Sequence, residues 1–383
     1  MIKRKHVKNL IKAAVVIATS VILCGCNESN AVNTEPAETK STPTQAVSEP
    51  AEETVAENPG EDDYTEGYGD TFSGQTSEPE KTESEPTPEP SANDKDVDLI
   101  LFMGQSNMSG AAGDASLAPK VSEEAGMEFR AISDPSTLYP ITEPFGINEN
   151  DPSGLHEYPG AKKGSLVSSF VNEYHKLTGR RVIAVSISMG ATDTDLWKTK
   201  GAVEDVKNRY NKAVKYLTDN GYNIGHRYAL WLHGESDGME RTDPEVYRTA
   251  LDDIMRPLFI GGLQKVFIIN PGRTIDYKDI FLPIIDMQKK ICAESGYYAI
   301  ATTILTGVST EYMRDMFHYN QHVLNLVGIR SAQAVAYYEK TGVEMTVYDY
   351  RTGEYIVPEG SDPASDAKEE PLDLASLNID ETY

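Results

Sequence analysis

Two periods of apolar and polar positions alternate along the last three-quarters of the chain. Short apolar runs predict buried strands at Val97–Met103, Arg181–Ser188, Tyr228–Leu232, Lys265–Ile269 and Tyr298–Thr303. Between them lie segments with helical spacing, at Ser165–Leu177, Glu204–Asp219, Glu245–Leu258, Ile280–Ala293 and Asn320–Lys340. Their ends are punctuated to match. Gly179 and Gly221 follow the first two, and Pro244 stands at the start of the third. Strands alternating with helices predict an α/β fold of three layers, α/β/α, around a five-stranded parallel sheet with right-handed crossovers. The stretch from Gly104 to Gly164 is too long for a plain connection and is expected to form one wall of a site.

Neither period extends through residues 27–94. That stretch is rich in Glu, Pro, Ser and Thr, with eight prolines and few large apolar residues. It cannot bury enough surface to offset chain entropy, and its like charges and prolines extend it. Ahead of it, residues 1–25 carry five basic residues and no acid, followed by the apolar run Ala13–Leu23. The run is short for a membrane span and reads as a signal peptide. It ends in Leu23-Cys24-Gly25-Cys26, which resembles a bacterial lipobox. That resemblance places the lipidated residue at Cys26 and the mature protein on the bacterial cell surface, anchored to the membrane by lipid. The alternative is an ordinary secretory signal with an incidental cysteine. The organisation expected is a signal peptide over 1–25, a lipid-anchored linker over 26–94, a folded domain over 95–341 and an acidic extension over 342–383. Pro358 to Tyr383 reads as a loose tail.

Charge sharpens this division. The 383 residues carry a formal net charge of -25, and residues 27–94 alone hold 18 acids against Lys40 and Lys81. So negative a chain repels phosphate backbones, which excludes nucleic acid as a partner. The overall hydrophobic content of 39% is low because the linker dilutes it. Of three cysteines, Cys24 leaves with the signal, Cys26 is the anchor and Cys292 stands alone. No disulfide is available to the folded part, and Cys292 reads as a small buried apolar residue in a helix.

Polar chemistry gathers where strands end. The first strand runs into Gly104-Gln105-Ser106-Asn107-Met108, the second into Ser188-Met189-Gly190, and the third into His233-Gly234-Glu235-Ser236-Asp237. Asp315-Met316-Phe317-His318 follows the fifth. In parallel α/β sheets, ligands sit at these carboxyl ends. Ser106 is either a nucleophile, which needs a base to take its proton, or a helix N-cap. His318 is the candidate base, because a local turn can aim the Asp315 carboxylate at one of its ring nitrogens. The same pair could be a surface ion pair. With His322 four residues on, His318 could instead ligate a metal, though the glutamate of the His-Glu-x-x-His pattern is absent. Acyl transfer also needs donors for an oxyanion, and the backbone N–H groups of Ser106 and Gly190 are natural choices.

Taken together, these blocks resemble the SGNH hydrolase superfamily, in the branch of sialate O-acetylesterases and family 6 carbohydrate esterases. The resemblance covers residues 96–340 and implies a flavodoxin-like fold and an acetylated carbohydrate substrate; neither metal nor cofactor is expected. It implies Ser106 as nucleophile, His318 as base, Asp315 as its orienter and the Ser106 and Gly190 amides as the oxyanion hole, with Gln105 and Glu235 in support. The implied reaction removes acetyl groups from a xylan-like polysaccharide through an acetyl-serine intermediate. O-Acetylated sialic acids on host glycans are the other substrate implied, and a tethered carbohydrate-binding protein without catalysis is the reading from a different class. One position departs from the family pattern. His233 stands where a glutamine usually offers an oxyanion donor, and it either donates through its ring N–H or merely packs. Trp197, Tyr139 and Phe145 are candidates for stacking on sugar rings.

Overall fold

The computed structural model describes residues 95–362, 367–376 and 378–379. The expected signal peptide, Cys26 and the linker through residue 94 lie outside these.

The first strand, β1 (Asp96–Gly104), is buried along nearly its whole length because helices cover both faces of the sheet. Its side chains alternate between two cores. Val97, Leu99, Leu101 and Met103 join one, and Ile100 and Phe102 the other. After the single turn α1 (Ser106–Ser109) come two short strands, β2 (Gly126–Phe129) and β3 (Leu138–Pro140). The regular alternation then begins. It runs α2 (Val167–Thr178), β4 (Arg181–Ser188), α3 (Thr194–Trp197), α4 (Lys200–Asp219) and β5 (Asn223–Leu232). It continues with α5 (Glu235–Glu240), α6 (Pro244–Ile260), β6 (Lys265–Ile269), α7 (Leu282–Glu294), β7 (Tyr298–Thr302) and α8 (Gln321–Thr341). Residues of α2 and α8 fill one core with Phe170, Val171, Leu324 and Val327. Residues of α4, α6 and α7 fill the other with Val206, Tyr210, Leu251 and Ile284.

The sheet runs β3-β2-β4-β1-β5-β6-β7, so it has seven strands rather than the five expected. The five expected strands are contiguous, β4-β1-β5-β6-β7, and parallel. The two additions come from the long stretch after β1. There β2 pairs in parallel with β4, and β3 pairs antiparallel with β2. Both are too short to show a period, and β2 carries a charge inward: Glu128 is buried and held by Arg130 at 2.8 Å.

The extension after α8 also differs from expectation. A hairpin forms from β8 (Val347–Asp349) and β9 (Glu354–Ile356). Beyond Pro358, the segment expected to be loose puts Glu369 and Ile379 in the interior. Glu369 accepts from the Tyr348 N–H at 3.0 Å and the Tyr350 hydroxyl at 3.1 Å. Leu372, Leu374 and Ile379, spaced among acids, pack against the core that holds α2 and α8. These scattered apolar side chains were masked by the acidic composition around them.

Candidate active site

Sheet register sets the floor of the site. Gly104 pairs with Ser188 on one side and Leu232 on the other, so three strands end at one level. At Gly104 the backbone takes φ +146°, and a Cβ there would lie 2.0 Å from the Leu232 carbonyl oxygen. Only glycine fits that turn. The chain then enters α1 with Gln105 at the N-cap position and Ser106 as the first helical residue, so Ser106 is not the cap. The Gln105 side chain ties this turn to the loop after β5. Its Oε1 accepts from the N–H groups of Gly234 (2.8 Å) and Glu235 (3.0 Å), and its Nε2 donates to Ser236 Oγ at 2.6 Å.

Across from Ser106, a tight loop carries the other polar partners. Met313 bridges Tyr319, and the Arg314 N–H donates to the His318 carbonyl at 2.8 Å. Inside it, Asp315 Oδ1 accepts from the N–H groups of Phe317 (2.8 Å) and His318 (3.0 Å), an Asx-type turn. Asp315 Oδ2 lies 2.7 Å from His318 Nδ1, and His318 Nε2 lies 2.7 Å from Ser106 Oγ. Burial pulls the Asp315 carboxyl upward, but the hydrogen bond and charge of His318 outweigh it and hold the group below its ordinary value. A carboxylate so held stays charged and keeps the proton on Nδ1, leaving Nε2 free to take one from Ser106. Both ring nitrogens are thereby engaged, which leaves none to share an ion with His322. Among the described residues, Asp98, His226 and Glu339 do cluster closely. Arg180 Nε already lies 2.7 Å from Asp98 there, so a cation is present without a metal.

Asn107 braces this arrangement, a role its sequence position did not disclose. Its Nδ2 donates to Glu235 Oε1 and to the Phe317 carbonyl, each at 3.1 Å, and its Oδ1 accepts from the Tyr319 N–H at 3.3 Å. Two of these bonds flank His318, so one side chain beside Ser106 fixes the backbone on both sides of the imidazole. Glu235 is buried, and burial pushes its carboxyl above the ordinary value. It acts on the site through Asn107.

Of the expected oxyanion donors, Gly190 and His233 have different surroundings. Gly190 lies beside Ser106, since a Cβ on it would stand 3.2 Å from the Ser106 Cβ. It already donates, at 2.5 Å, to Glu157 Oε1. Glu157 sits in the long stretch after β1, where no period or motif marks it. His233 does not present a donor at all. Its ring is wholly buried, stacked on Trp231 at 4.5 Å with the edge of Trp197 at 5.7 Å. Neither ring nitrogen has surface through which to reach a substrate oxygen. The apolar ring pocket therefore decides for packing.

That burial has a consequence for stability. Desolvation lowers the His233 imidazole to about 3, outweighing the Thr192 backbone, while burial raises Asp237 to about 6 despite its bonds to Thr194. The 3.7 Å approach of His233 Nδ1 to Asp237 Oδ2 is thus no ion pair at neutral pH. Below about 6.5 the unfolded chain gains a proton that folded His233 refuses, so stability falls by up to about 1.4 kcal/mol per pH unit. Asp237 works oppositely: between about 4 and 6 the folded state holds the extra proton, which adds stability as pH falls. His233→Phe should remove only the first effect. Its urea midpoint should drop less than that of the parent between pH 7 and pH 4.5, and parallel profiles would contradict the assignment.

The three expected stacking aromatics are also committed elsewhere. Trp197 and Phe145 are buried. Tyr139 donates to Asp134 and carries Arg130 over its ring at 3.9 Å. Next to Glu157, Tyr158 is 74% exposed. Cys292 is half-buried against the core, and burial pushes its thiol well above its ordinary value. It is no nucleophile.

Comparison with known proteins bears on this geometry. The family model described as carbohydrate esterase, sialic acid-specific acetylesterase, matches residues 96–336, and the chain belongs to that family. No curated protein matches the sequence. Among solved structures, a protein from Arabidopsis thaliana is similar at 17% identity and a TM-score of 0.47, over 62% of this chain and 97% of that one. A variant of an acetyl xylan esterase from Geobacillus stearothermophilus is similar at 11% identity and a TM-score of 0.35, over 62% of this chain and 94% of that one. At that distance neither likeness bears on substrate or mechanism.

Proposed function

We propose that this member of the carbohydrate esterases is a serine O-acetylesterase that deacetylates a neutral, xylan-like polysaccharide through an acetyl-serine intermediate. The observation that carries the reading is the chain from Asp315 Oδ2 through the His318 ring to Ser106 Oγ, with both links at 2.7 Å. Ser106 Oγ attacks the acetyl carbonyl as His318 Nε2 takes its proton. The backbone N–H groups of Ser106 and Gly190 receive the oxyanion. His318 then protonates the departing sugar oxygen, leaving acetyl on Ser106. Water, activated by the same imidazole, attacks the acetyl-serine and releases acetate.

Electrostatics favours a neutral sugar. The chain is strongly acidic, so a substrate carboxylate approaching it would meet like charge. The family description keeps O-acetylated sialic acid as the competing substrate. Acetate release by the full chain from acetylated xylan and from O-acetylated sialoglycans separates the two. Several-fold greater kcat/KM on xylan is expected, and preference for the sialoglycan would overturn the neutral-sugar reading.

A further inference from the structure

The Gly190 N–H is the donor that the proposed oxyanion needs, yet a carboxylate of the chain itself already holds it. Glu157 Oε1 accepts from Gly190 N at 2.5 Å, and the Glu157 carboxylate lies 3.3 and 3.5 Å from where a Gly190 Cβ would stand. That same point is 3.2 Å from the Ser106 Cβ. A carboxylate carbon bearing two oxygens, presented to that N–H beside Ser106, has the shape and charge of acetate, the expected product.

The segment that carries Glu157 is lightly packed. It hangs between two buried anchors. Leu155 donates its N–H to Asp205 Oδ2 at 2.8 Å. Lys162 donates to Ser186 Oγ at 3.0 Å and Ser188 Oγ at 3.3 Å. The residues between them, 156–161, are all exposed or half-buried. They turn through Tyr158-Pro159-Gly160-Ala161, where the Ala161 N–H donates to the Tyr158 carbonyl, Gly160 takes φ +77° and open space surrounds it. So little packing holds the turn that opening it exposes almost no apolar surface. The Glu157 N–H is itself tied to Asn150 Oδ1 at 2.9 Å, and what holds its carboxylate inward is the Gly190 bond and the attraction of the Lys162 ammonium.

Resting on the esterase reading and extending it, we propose that Glu157 is a resident occupant of the acetyl-binding site, which substrate must displace and which sets KM. A tethered carboxylate competes intramolecularly, at an effective concentration on the order of millimolar for a short flexible connection. The apparent affinity for substrate then falls by the fraction of molecules whose site is open. Free acetate competes for the same N–H and loses to the tethered group.

Two measurements on the full chain test this. Glu157→Ala should lower KM for p-nitrophenyl acetate about three- to tenfold, for an open fraction of roughly 10 to 30% in the parent, with kcat within about twofold. Glu157→Gln, which keeps the shape and a weaker acceptor, should lie between. An unchanged or raised KM in both variants would overturn the proposal, since a merely structural or substrate-binding residue behaves that way. The second measurement needs no catalysis. In 15N-labelled protein, sodium acetate should shift the Gly190 amide resonance of Glu157→Ala and leave that of the parent in place. A variant inactive on every ester but with an acetate-responsive Gly190 amide would sink the esterase reading and leave the occupancy standing. An active variant whose Gly190 amide ignores acetate would sink the occupancy and leave the esterase.

Discussion

Ser106→Ala and His318→Ala should each lower kcat on acetylated substrates by about four to six orders of magnitude, and the double variant should be little worse than either. The reason is that nucleophile and base act as one unit. Without His318 the Ser106 hydroxyl keeps its proton, and without Ser106 the imidazole has nothing to activate. What remains is binding and oxyanion stabilisation, which by themselves retain roughly 10³ to 10⁴ over water. The 2.7 Å contact between His318 Nε2 and Ser106 Oγ joins residues 212 apart in sequence, so the expectation tests the fold as well as the chemistry. Neither substitution should disturb folding, since Ser106 opens a single turn and the His318 ring stands at the edge of the site. Acetate assays at saturating substrate, with the urea midpoint as a folding control, read the result. Ser106→Ala with activity near that of the parent would remove the nucleophile assignment.

The second large effect is expected at Asp315. Asp315→Asn should lower kcat by about 10³ to 10⁴ while leaving KM within a few-fold. An amide in place of the carboxylate no longer demands a proton on His318 Nδ1, so the ring adopts the tautomer that cannot accept from Ser106. The imidazolium formed during attack also loses its counter-charge. Asp315 is more exposed than a buried orienter, with 53% of its side chain accessible, so solvent weakens the second contribution and the lower end of the range is favoured. The turn should survive in part, because an Asn Oδ1 still accepts from the Phe317 and His318 N–H groups as Asp315 Oδ1 does. A loss under about tenfold would show that Asn107, through its bonds on either side of His318, suffices to orient the ring.

The pairing of Asp315 with His318 was legible because it is local. Three residues of separation and one Asx turn bring the two side chains together whatever surrounds them. The five parallel strands from β4 to β7 were legible for a related reason. Each is a short apolar run with a helix after it, and the carboxyl ends of a parallel sheet are where such a fold offers its ligands. Ser106 sits in such a place because Gly104 must turn against the Leu232 carbonyl, a requirement a single glycine announces.

His233 and Glu157 show the limit. Both are polar, and both lie near strand ends or in the long stretch that walls the site, so composition and position treat them alike. Whether an imidazole meets a substrate or an apolar pocket depends on Trp231 and Trp197 closing over it. Whether a carboxylate reaches the Gly190 N–H depends on how residues 156–161 hang between Leu155 and Lys162. The strands β2 and β3 belong with these cases. They have too few residues for a period, and they exist because the edge of β4 offers unpaired backbone groups to fill.

By itself, then, the sequence determined the layered α/β architecture, the level at which the strands deliver their polar residues, and the local turn joining Asp315 to His318. Those follow from periodicity and from contacts within a few residues, where chain connectivity leaves little choice. The tertiary structure decided which distant polar groups face Ser106, that Asn107 braces His318, that His233 is packed away and that Glu157 holds the Gly190 amide. Those are contacts across tens to hundreds of residues, set by burial and by the competition of several groups for one donor. No run of neighbouring residues records the outcome of that competition.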